Sequence, residues 1–141
     1  MRIAVSACLL GENCKYNGKS NLNERLAALL EGHEVIPVCP EMTAGLGCPR
    51  SPVEIKEGRV LTEDGKDVTS AFEKGALACF EKTKDCDLAI LKSKSPSCGA
   101  SSIYDGTFTH TLTGGAGVYA SLLEKAGIPI LEADAFCGRS Y

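Results

Sequence analysis

The chain has 141 residues, of which 44% are hydrophobic and 6% aromatic, and its formal net charge is −3. This length is sufficient for one domain with a hydrophobic core, so we predict a single domain over residues 1–141. No run of five or six like charges occurs, which excludes a basic arm for nucleic acid and an acidic tail. A small ligand therefore suits the sequence better than duplex DNA or RNA.

The N-terminal segment MRIAVSACLLG contains an apolar run far shorter than a membrane-spanning helix. We interpret it as a first strand rather than a signal peptide and predict a cytoplasmic location with no membrane partner. The chain has eight cysteines, and a cytoplasmic protein is not expected to use them as a disulfide framework. Metal binding or thiol chemistry is the better explanation for some of them, and core packing for others.

Apolar runs alternate with helical patterns along the chain. Strands are predicted over Arg2–Ser6, Glu34–Val38, 87–91 and 128–134, and helices over 22–32, 69–83 and 116–127. Residues 53–69 predict a hairpin, whereas residues 103–115 predict only turns. Thr69 or Ser70 is predicted to cap the middle helix. The order indicates a single α/β domain with a mainly parallel sheet, flanking helices in a Rossmann-like three-layer arrangement, and a small extra β-hairpin.

Three cysteines follow predicted strands. Cys8 comes two residues after the first strand, Cys39 directly after the second, and Cys98 a few residues after the third, in the Ser-rich stretch LKSKSPSCGASS. Because the carboxyl ends of parallel strands meet at one edge, we expect these thiols at one rim of the sheet rather than in the core. Converging thiols suit a soft metal ion or an iron–sulfur cluster. Small residues needed at tight strand ends are an equal alternative from spacing alone.

The other cysteines give weaker signals. Cys79 lies on the apolar face of a predicted helix and is predicted to be a core residue, and Cys86 precedes a strand. Cys137 lies near the end of the chain. Cys14 and Cys48 lie in predicted loops and could each be a fourth ligand, a resolving thiol or a bystander. No C-x-x-C pair occurs, which argues against a thioredoxin-type centre and a zinc ribbon.

Five motifs occur together in the chain: SACLLGENCKYNG, PVCPEMTAGLGCPRSPVEI, DVTSAFEKGA, LKSKSPSCG and GVYASLLEKAGIPILE. In this order they resemble a bacterial family, formerly a domain of unknown function, whose members include thiouracil desulfidases. The resemblance implies a [4Fe–4S] cluster held by Cys8, Cys39 and Cys98, with the fourth iron free of protein ligands. The chain reads GLGCPR where the family suggests GLPTPR, so Cys48 is an additional thiol.

The resemblance also implies the reaction. An open iron accepts the sulfur of a thiolated pyrimidine such as 2-thiouracil, and water replaces that sulfur to give the oxo base and sulfide. The implied partner is a small thiolated nucleobase or nucleoside, with thiolated RNA as a further candidate. Oxygen destroys exposed clusters, so an aerobic preparation is expected to lose the cofactor.

Several polar residues are candidates for the catalytic steps. Glu41, two residues after Cys39, is predicted to be the general acid/base, with a helix-start carboxylate as the alternative. Ser95 and Ser97 flank Pro96 and could orient water or hold a sulfide, although Ser-Pro-Ser also favours a turn. Of the two serines, we prefer Ser97.

Weaker signals point to substrate binding and to other functions. Tyr16 and Asn17 could contact a pyrimidine, Arg50 a carbonyl or phosphate, and Lys92 the anionic cluster, although each could instead be a surface residue. The TGGAG sequence before the last helix could bind an anion or allow close packing. Two other functions stay open: a binding or sensing module with a structural zinc ion or cluster completed by Cys48 or Cys14, and a cluster-free enzyme with Cys98 as nucleophile.

Overall fold

The structure is a computed structural model that describes residues 1–12, 17, 24–47, 51–92 and 94–133. Its strands are β1 (Arg2–Ser6), β2 (Glu34–Val38), β3 (Val53–Lys56), β4 (Arg59–Thr62), β5 (Leu88–Leu91), β6 (Ser102–Tyr104), β7 (Leu112–Gly114) and β8 (Ile130–Glu132). Its helices are α1 (Glu24–Leu29), α2 (Pro40–Thr43), α3 (Thr69–Thr83) and α4 (Val118–Lys125), and a 3-10 turn spans Ala7–Leu10. None of the helices in the described ranges combines the length and hydropathy needed to cross a membrane.

A central sheet of four parallel strands in the order β2-β1-β5-β8 organises the fold. This confirms the predicted α/β class with a mainly parallel sheet. Ser6 at the end of β1 lies opposite Val38 at the end of β2, and Val5 lies opposite Ile90, one residue before the end of β5. The three strands therefore end at nearly the same level, and the loops that follow them leave from one edge.

The sheet is covered by helices on both faces. One buried cluster joins strand residues to α1 and contains Ile3, Val5, Leu26, Leu30 and Ile90. The opposite cluster joins the alternate strand residues to α3 and α4 and contains Ala4, Ala89, Leu91, Ala76 and Leu123. Successive strand residues point to opposite faces, so strands buried on both sides are apolar throughout. The protein has the three layers that the sequence predicts.

The helix predicted over residues 69–83 is confirmed, but its predicted cap is wrong. The N-cap residue is Val68, and no side chain caps the helix from that position. The Thr69 hydroxyl instead accepts the N–H of Val60 at 2.8 Å, while the Thr69 N–H donates to Asp67 at 2.9 Å. The Thr69 side chain therefore joins the helix start to the hairpin.

Two antiparallel hairpins flank the sheet. The β3–β4 hairpin with its Glu57–Gly58 loop confirms the prediction, whereas the β6–β7 hairpin lies where only turns were predicted. Strands of three residues are too short to produce a clear alternating pattern. The carboxylate of the buried residue Glu54 on β3 accepts the N–H groups of Gly106 and Phe108, at 3.0 and 3.2 Å, and so connects the two hairpins.

Candidate active site at the carboxyl edge of the sheet

The three predicted ligand cysteines follow three adjacent strands. Cys8 lies in the 3-10 turn after β1, and Cys39 is the N-cap residue of α2 directly after β2. Cys98 lies in the loop after β5. The chain passes from β2 on one side of β1 to β5 on the other, and such a reversal opens a crevice where ligands bind in parallel sheets.

Cys98 is more deeply buried than the sequence predicts. Its side chain is 4% exposed and belongs to the core cluster beneath α4, so the expectation of an exposed rim thiol is wrong for this residue. Cys8 and Cys39 are half-buried. Burial raises the pKa of Cys98 to about 12, and the negative charges of Glu41 and Cys8 raise it as well. Hydrogen bonds from the Ser6 and Ser97 hydroxyls act in the opposite direction.

This environment bears on one of the alternative functions. A thiolate, not a thiol, is the nucleophile in cysteine chemistry, and reactive cysteines are partly exposed with a lowered pKa. A buried Cys98 with a raised pKa is a neutral thiol at pH 7. The geometry therefore argues against a cluster-free enzyme with Cys98 as nucleophile. A metal bond would have to replace the thiol proton.

The donor set consists of thiols, the ligand type of soft metals and iron–sulfur clusters. Among the described residues, no three Cys, His, Asp or Glu side chains come close enough to surround one metal ion. A single zinc ion holds its ligands at about 2.0–2.3 Å, whereas a four-iron cluster binds each thiolate at a different iron and so needs the sulfurs further apart. None of the five described cysteines forms a disulfide bond. By residue type and by their position after three adjacent strands, Cys8, Cys39 and Cys98 are suitable ligands for the cluster that the family resemblance implies.

Glu41 and Ser97 meet beside Cys98. Glu41 lies in the first turn of α2, where Pro40 at the first helical position is typical of a helix start. The buried Ser97 hydroxyl donates to Oε2 of Glu41 at 3.0 Å and lies 3.7 Å from Sγ of Cys98. A proton-bearing hydroxyl thus touches both a carboxylate and a predicted ligand sulfur.

Ser95 has a different environment from Ser97. Its Oγ accepts the N–H groups of Ser97 and Cys98, both at 3.1 Å, which is how a serine stabilises a turn. It also lies 3.1 Å from Oγ of Ser97. Ser95 therefore shapes the loop, whereas Ser97 contacts the carboxylate of Glu41.

The loop that carries Ser97 and Cys98 rests on the start of α4. Four N–H groups donate to loop carbonyls: Gly117 to Gly99 at 2.7 Å, Val118 to Pro96 at 3.0 Å, and Tyr119 and Ala120 to Ser97 at 2.9 and 3.1 Å. A Cβ atom at Gly117 would lie 2.5 Å from the carbonyl carbon of Ser97. The TGGAG sequence therefore serves close packing, and its interpretation as an anion site is wrong.

Helix α2 rests on α3 through a second close approach that sequence reasoning missed. A Cβ atom at Gly75 would lie 2.0 Å from the carbonyl oxygen of Pro40. Beside it, the thiol of Cys79 donates to the Thr43 hydroxyl at 3.6 Å. Cys79 is buried, which confirms its predicted place in the core, and burial raises the pKa of its thiol. The available signal was a glycine inside a strong helical pattern, which often marks tight packing.

Ser6 is the other residue that sequence reasoning missed. It ends β1, is buried, and accepts the N–H of Lys92 at 2.9 Å. Its hydroxyl acts to lower the pKa of the Cys98 thiol, against the larger effect of burial. The available signal was a polar residue at the end of an otherwise apolar buried strand.

The predicted substrate-binding residues are only partly described. Tyr16 and Arg50 lie outside the described residues, as do Cys14, Cys48 and Cys137. Asn17 lies in an exposed turn, and Lys92 is half-buried directly after β5, on the same edge as the cysteines. Their roles toward a substrate remain predictions.

The chain is similar to one protein family, to a curated bacterial protein and to a solved structure. The sequence profile of the 2-thiouracil desulfurase family matches residues 3–135. The uncharacterised protein YbbK of Bacillus subtilis is 36% identical and aligns over 92% of this chain and 94% of its own length. The solved structure of the [4Fe-4S]-dependent thiouracil desulfidase TudS is 39% identical, covers 94% of this chain and 91% of its own, and superposes with a TM-score of 0.86. On these matches and on the fold, the chain belongs to the 2-thiouracil desulfurase family.

Proposed function

We propose that the protein is a [4Fe–4S]-dependent desulfidase that converts a thiolated pyrimidine such as 2-thiouracil into the oxo base and sulfide. Family membership supports the reaction, and the similarity to TudS supports the cofactor. The observation that carries the proposal to this chain is the position of Cys8, Cys39 and Cys98 after three adjacent parallel strands. A set of thiols at one edge is the ligand type that iron–sulfur clusters use.

The protein's part in the reaction is to hold the cofactor, place water and move protons. Cys8, Cys39 and Cys98 would hold the cluster, which when bound would supply a soft Lewis acid for a thiocarbonyl sulfur. Replacing that sulfur by the oxygen of water forms one C–O bond, breaks the C–S bond and releases hydrogen sulfide. No electron is transferred, and both protons of the water leave with the sulfur.

Glu41 and Ser97 suit the proton transfers. The Glu41 carboxylate accepts a proton as water attacks and returns it to the departing sulfur, so it acts as general base and then as general acid. The hydrogen bond from Ser97, at 3.0 Å, orients that carboxylate toward the Cys98 side of the site. The main-chain contacts of the Ser97 loop to α4 fix the hydroxyl in turn.

We further propose that the substrate is a free base or nucleoside in the cytoplasm. Asn17 and Lys92, with Tyr16 and Arg50, are the residues proposed to contact the ring, and thiolated RNA is the larger alternative substrate. Comparing kcat/KM for 2-thiouracil, its nucleoside and a thiolated RNA fragment tests this assignment. The proposal expects activity on the base or nucleoside at least as high as on the RNA.

Anaerobic reconstitution with iron and sulfide tests the function. We expect about four irons per chain in the reconstituted protein, together with conversion of 2-thiouracil to uracil and release of sulfide. Cys39→Ala is expected to abolish both, whereas the matched control Cys79→Ala, which removes the neighbouring core thiol, is expected to keep them. A fully loaded cluster without desulfidation would contradict the activity. One tightly bound zinc ion in place of the cluster would favour a binding or sensing module.

A further inference from the structure

Glu54 is a buried acidic residue that the reaction proposed above does not use. It lies on β3 and is 8% exposed, and its Oε1 accepts the N–H groups of Gly106 at 3.0 Å and of Phe108 at 3.2 Å. Burying a carboxylate is unfavourable unless polar groups replace the water that it loses. The presence of Glu54 therefore needs to be explained by the loop that it contacts.

That loop, residues 105–111 between β6 and β7, has an unfavourable main-chain conformation. Phe108 and His110 both have left-handed φ values, 58° and 60°, although neither is a glycine. Such values are uncommon for other residues and persist where the surrounding structure holds them. Main-chain N–H groups around left-handed residues can converge on an anion. The Glu54 carboxylate supplies that anion, so it fixes the conformation of the loop.

A glycine brings the same loop close to β3. Gly106 has a φ of 93°, and a Cβ atom at this position would lie 2.4 Å from Cβ of Lys56, the last residue of β3. Glycine alone satisfies both this φ value and this close approach. The β3–β4 and β6–β7 hairpins are therefore joined by a carboxylate and by direct packing.

Each hairpin continues from one of the two segments that carry the site. Strand β3 follows helix α2, which contains Glu41. Strand β6 follows the loop that carries Ser97, and Ile103 on β6 pairs with Lys94 in that loop through an isolated parallel bridge. The hydrogen bond from Ser97 to Glu41 joins the same two segments within the site. The contacts of Glu54 therefore close a ring, which limits how far the two segments can separate.

We propose that Glu54 is a positioning residue for desulfidation, whose carboxylate holds the two hairpins together and so keeps Ser97 at hydrogen-bond distance from Glu41. The proposal rests on the proposed function, because it takes these two residues to serve the proton transfers. A displacement of about 1 Å can lower the rate by about 10²-fold even when its cause lies far from the reacting atoms. Loss of the Glu54 contacts is therefore expected to lower kcat more than it raises KM.

The test measures kcat and KM for 2-thiouracil at matched iron content. Glu54→Met has a similar size but no acceptor oxygen, and it is expected to lower kcat by about 10-fold to 100-fold with KM close to the wild-type value. Glu54→Gln keeps an acceptor oxygen and is expected to restore most of the kcat. The matched control is Thr69→Val, which removes a hydroxyl that accepts the N–H of Val60 on β4 of the same hairpin, at 2.8 Å. This control is expected to keep the wild-type kcat.

A double variant shows whether Glu54 acts through Ser97. In Ser97→Ala the hydrogen bond to Glu41 is already absent, so adding Glu54→Met is expected to have little further effect on kcat. Losses that multiply, equal losses in Glu54→Met and Thr69→Val, or a wild-type kcat in Glu54→Met would overturn the proposal. If Glu54→Met fails to fold, Gly106→Ala disturbs the same contact from the other hairpin, and a wild-type kcat in that variant would overturn it as well.

Amide hydrogen exchange in metal-free protein tests the contact without the reaction. Glu54→Met is expected to make exchange at least about tenfold faster in residues 105–108, where hydrogen bonds to the carboxylate are lost, and faster in the loop 95–99, with neither change in Thr69→Val. Wild-type exchange of the loop 95–99 in Glu54→Met would overturn the proposal. If the wild type takes up no cluster, the proposed function falls and takes this inference with it. If the wild type is active and Glu54→Met keeps its kcat, only this inference falls.

Discussion

Two segments meet at the site, and different forces hold them. The serine arm, residues 95–99, is fixed by four main-chain hydrogen bonds from the start of α4. The helix arm, residues 39–43, is fixed by the close approach of Pro40 to Gly75 on α3. Hydrogen bonds are directional and fix the angle of a loop, whereas packing fixes mainly a distance. The hydrogen bonds therefore fix the orientation of the serine arm, which carries Cys98, relative to α4. Packing fixes how closely the helix arm, which carries Cys39 and Glu41, approaches α3.

The hydrogen bond from Ser97 to Glu41 joins the two arms, so breaking it should have the largest effect. Glu41→Gln is expected to lower kcat by about 10²–10⁴-fold, the range for loss of a general acid/base, at unchanged cluster content. Ser97→Ala is expected to lower kcat as well, and the double variant to lose much less than the product of the single losses, because residues that act as a unit are not additive. Single-turnover rates at matched iron content provide the measurement. Fully additive losses would show that the arms act independently.

Adding one methyl group beneath the helix arm should have the next largest effect. Gly75→Ala places a Cβ atom where Pro40 O and Ala44 Cβ are only 2.0 and 2.9 Å away. We expect a loss of about 10²-fold in kcat from the displaced Glu41 and about 1–3 kcal/mol of stability from overpacking. Denaturant unfolding and kcat are the measurements, and Leu77→Ala on the exposed side of α3 is the control. Wild-type kinetics in Gly75→Ala would show that the helix arm does not depend on this contact.

Cys98 is buried whereas Cys8 and Cys39 are half-buried, and we expect this difference to change how fast each thiol is alkylated. In reduced, metal-free protein at pH 7, iodoacetamide is expected to label Cys8 and Cys39 at least about tenfold faster than Cys98, since the thiolate reacts and burial disfavours it. The pKa of Cys98 is raised to about 12, so its labelling should increase as the pH rises toward that value. Mass spectrometry of the three peptides gives the rates, with denatured protein as the equal-reactivity control. Fast labelling of Cys98 at pH 7 would contradict its burial.

The smallest effect should come from the core beneath the serine arm. The buried Tyr119 hydroxyl lies 2.6 Å from Thr83 Oγ1, and Tyr119→Phe removes that hydrogen bond without changing the main chain that holds Ser97. We expect a loss of about 1 kcal/mol of stability and an unchanged kcat. Thermal unfolding and steady-state kinetics measure the two quantities. A fall in kcat would mean that the serine arm also depends on the side chains below it.

Elements with a clear apolar pattern or a turn signal were predictable from the sequence, whereas a few short elements without such a signal were not. The apolar runs of β1 and β2 and the pattern of α3 predicted their bounds, since each satisfies one periodicity over its whole length. Helix α2 and the strands β6 and β7 have only three or four residues and lie in stretches rich in glycine, proline or threonine, where no apolar pattern marks them.

In the candidate site, too, some features were predictable from the sequence and others were not. The order of elements along the chain predicted that Cys8, Cys39 and Cys98 each follow a strand, and the sheet makes those three strands parallel neighbours. The burial of Cys98 and the contacts of Ser6 and Gly75 depend on how distant segments pack. Those distances are set by the complete fold and have no signature in residue spacing.

The seating of residues 95–99 on α4 also determines when the protein can accept its metal. During synthesis, Cys8 and Cys39 emerge from the ribosome well before residues 117–120. The loop that carries Cys98 lacks its main-chain hydrogen-bond donors until α4 has been made. Domains generally fold as units once their residues are available. The three thiols therefore reach their places together, after α4 has been synthesised, and we expect a chain truncated before α4 to take up no cluster.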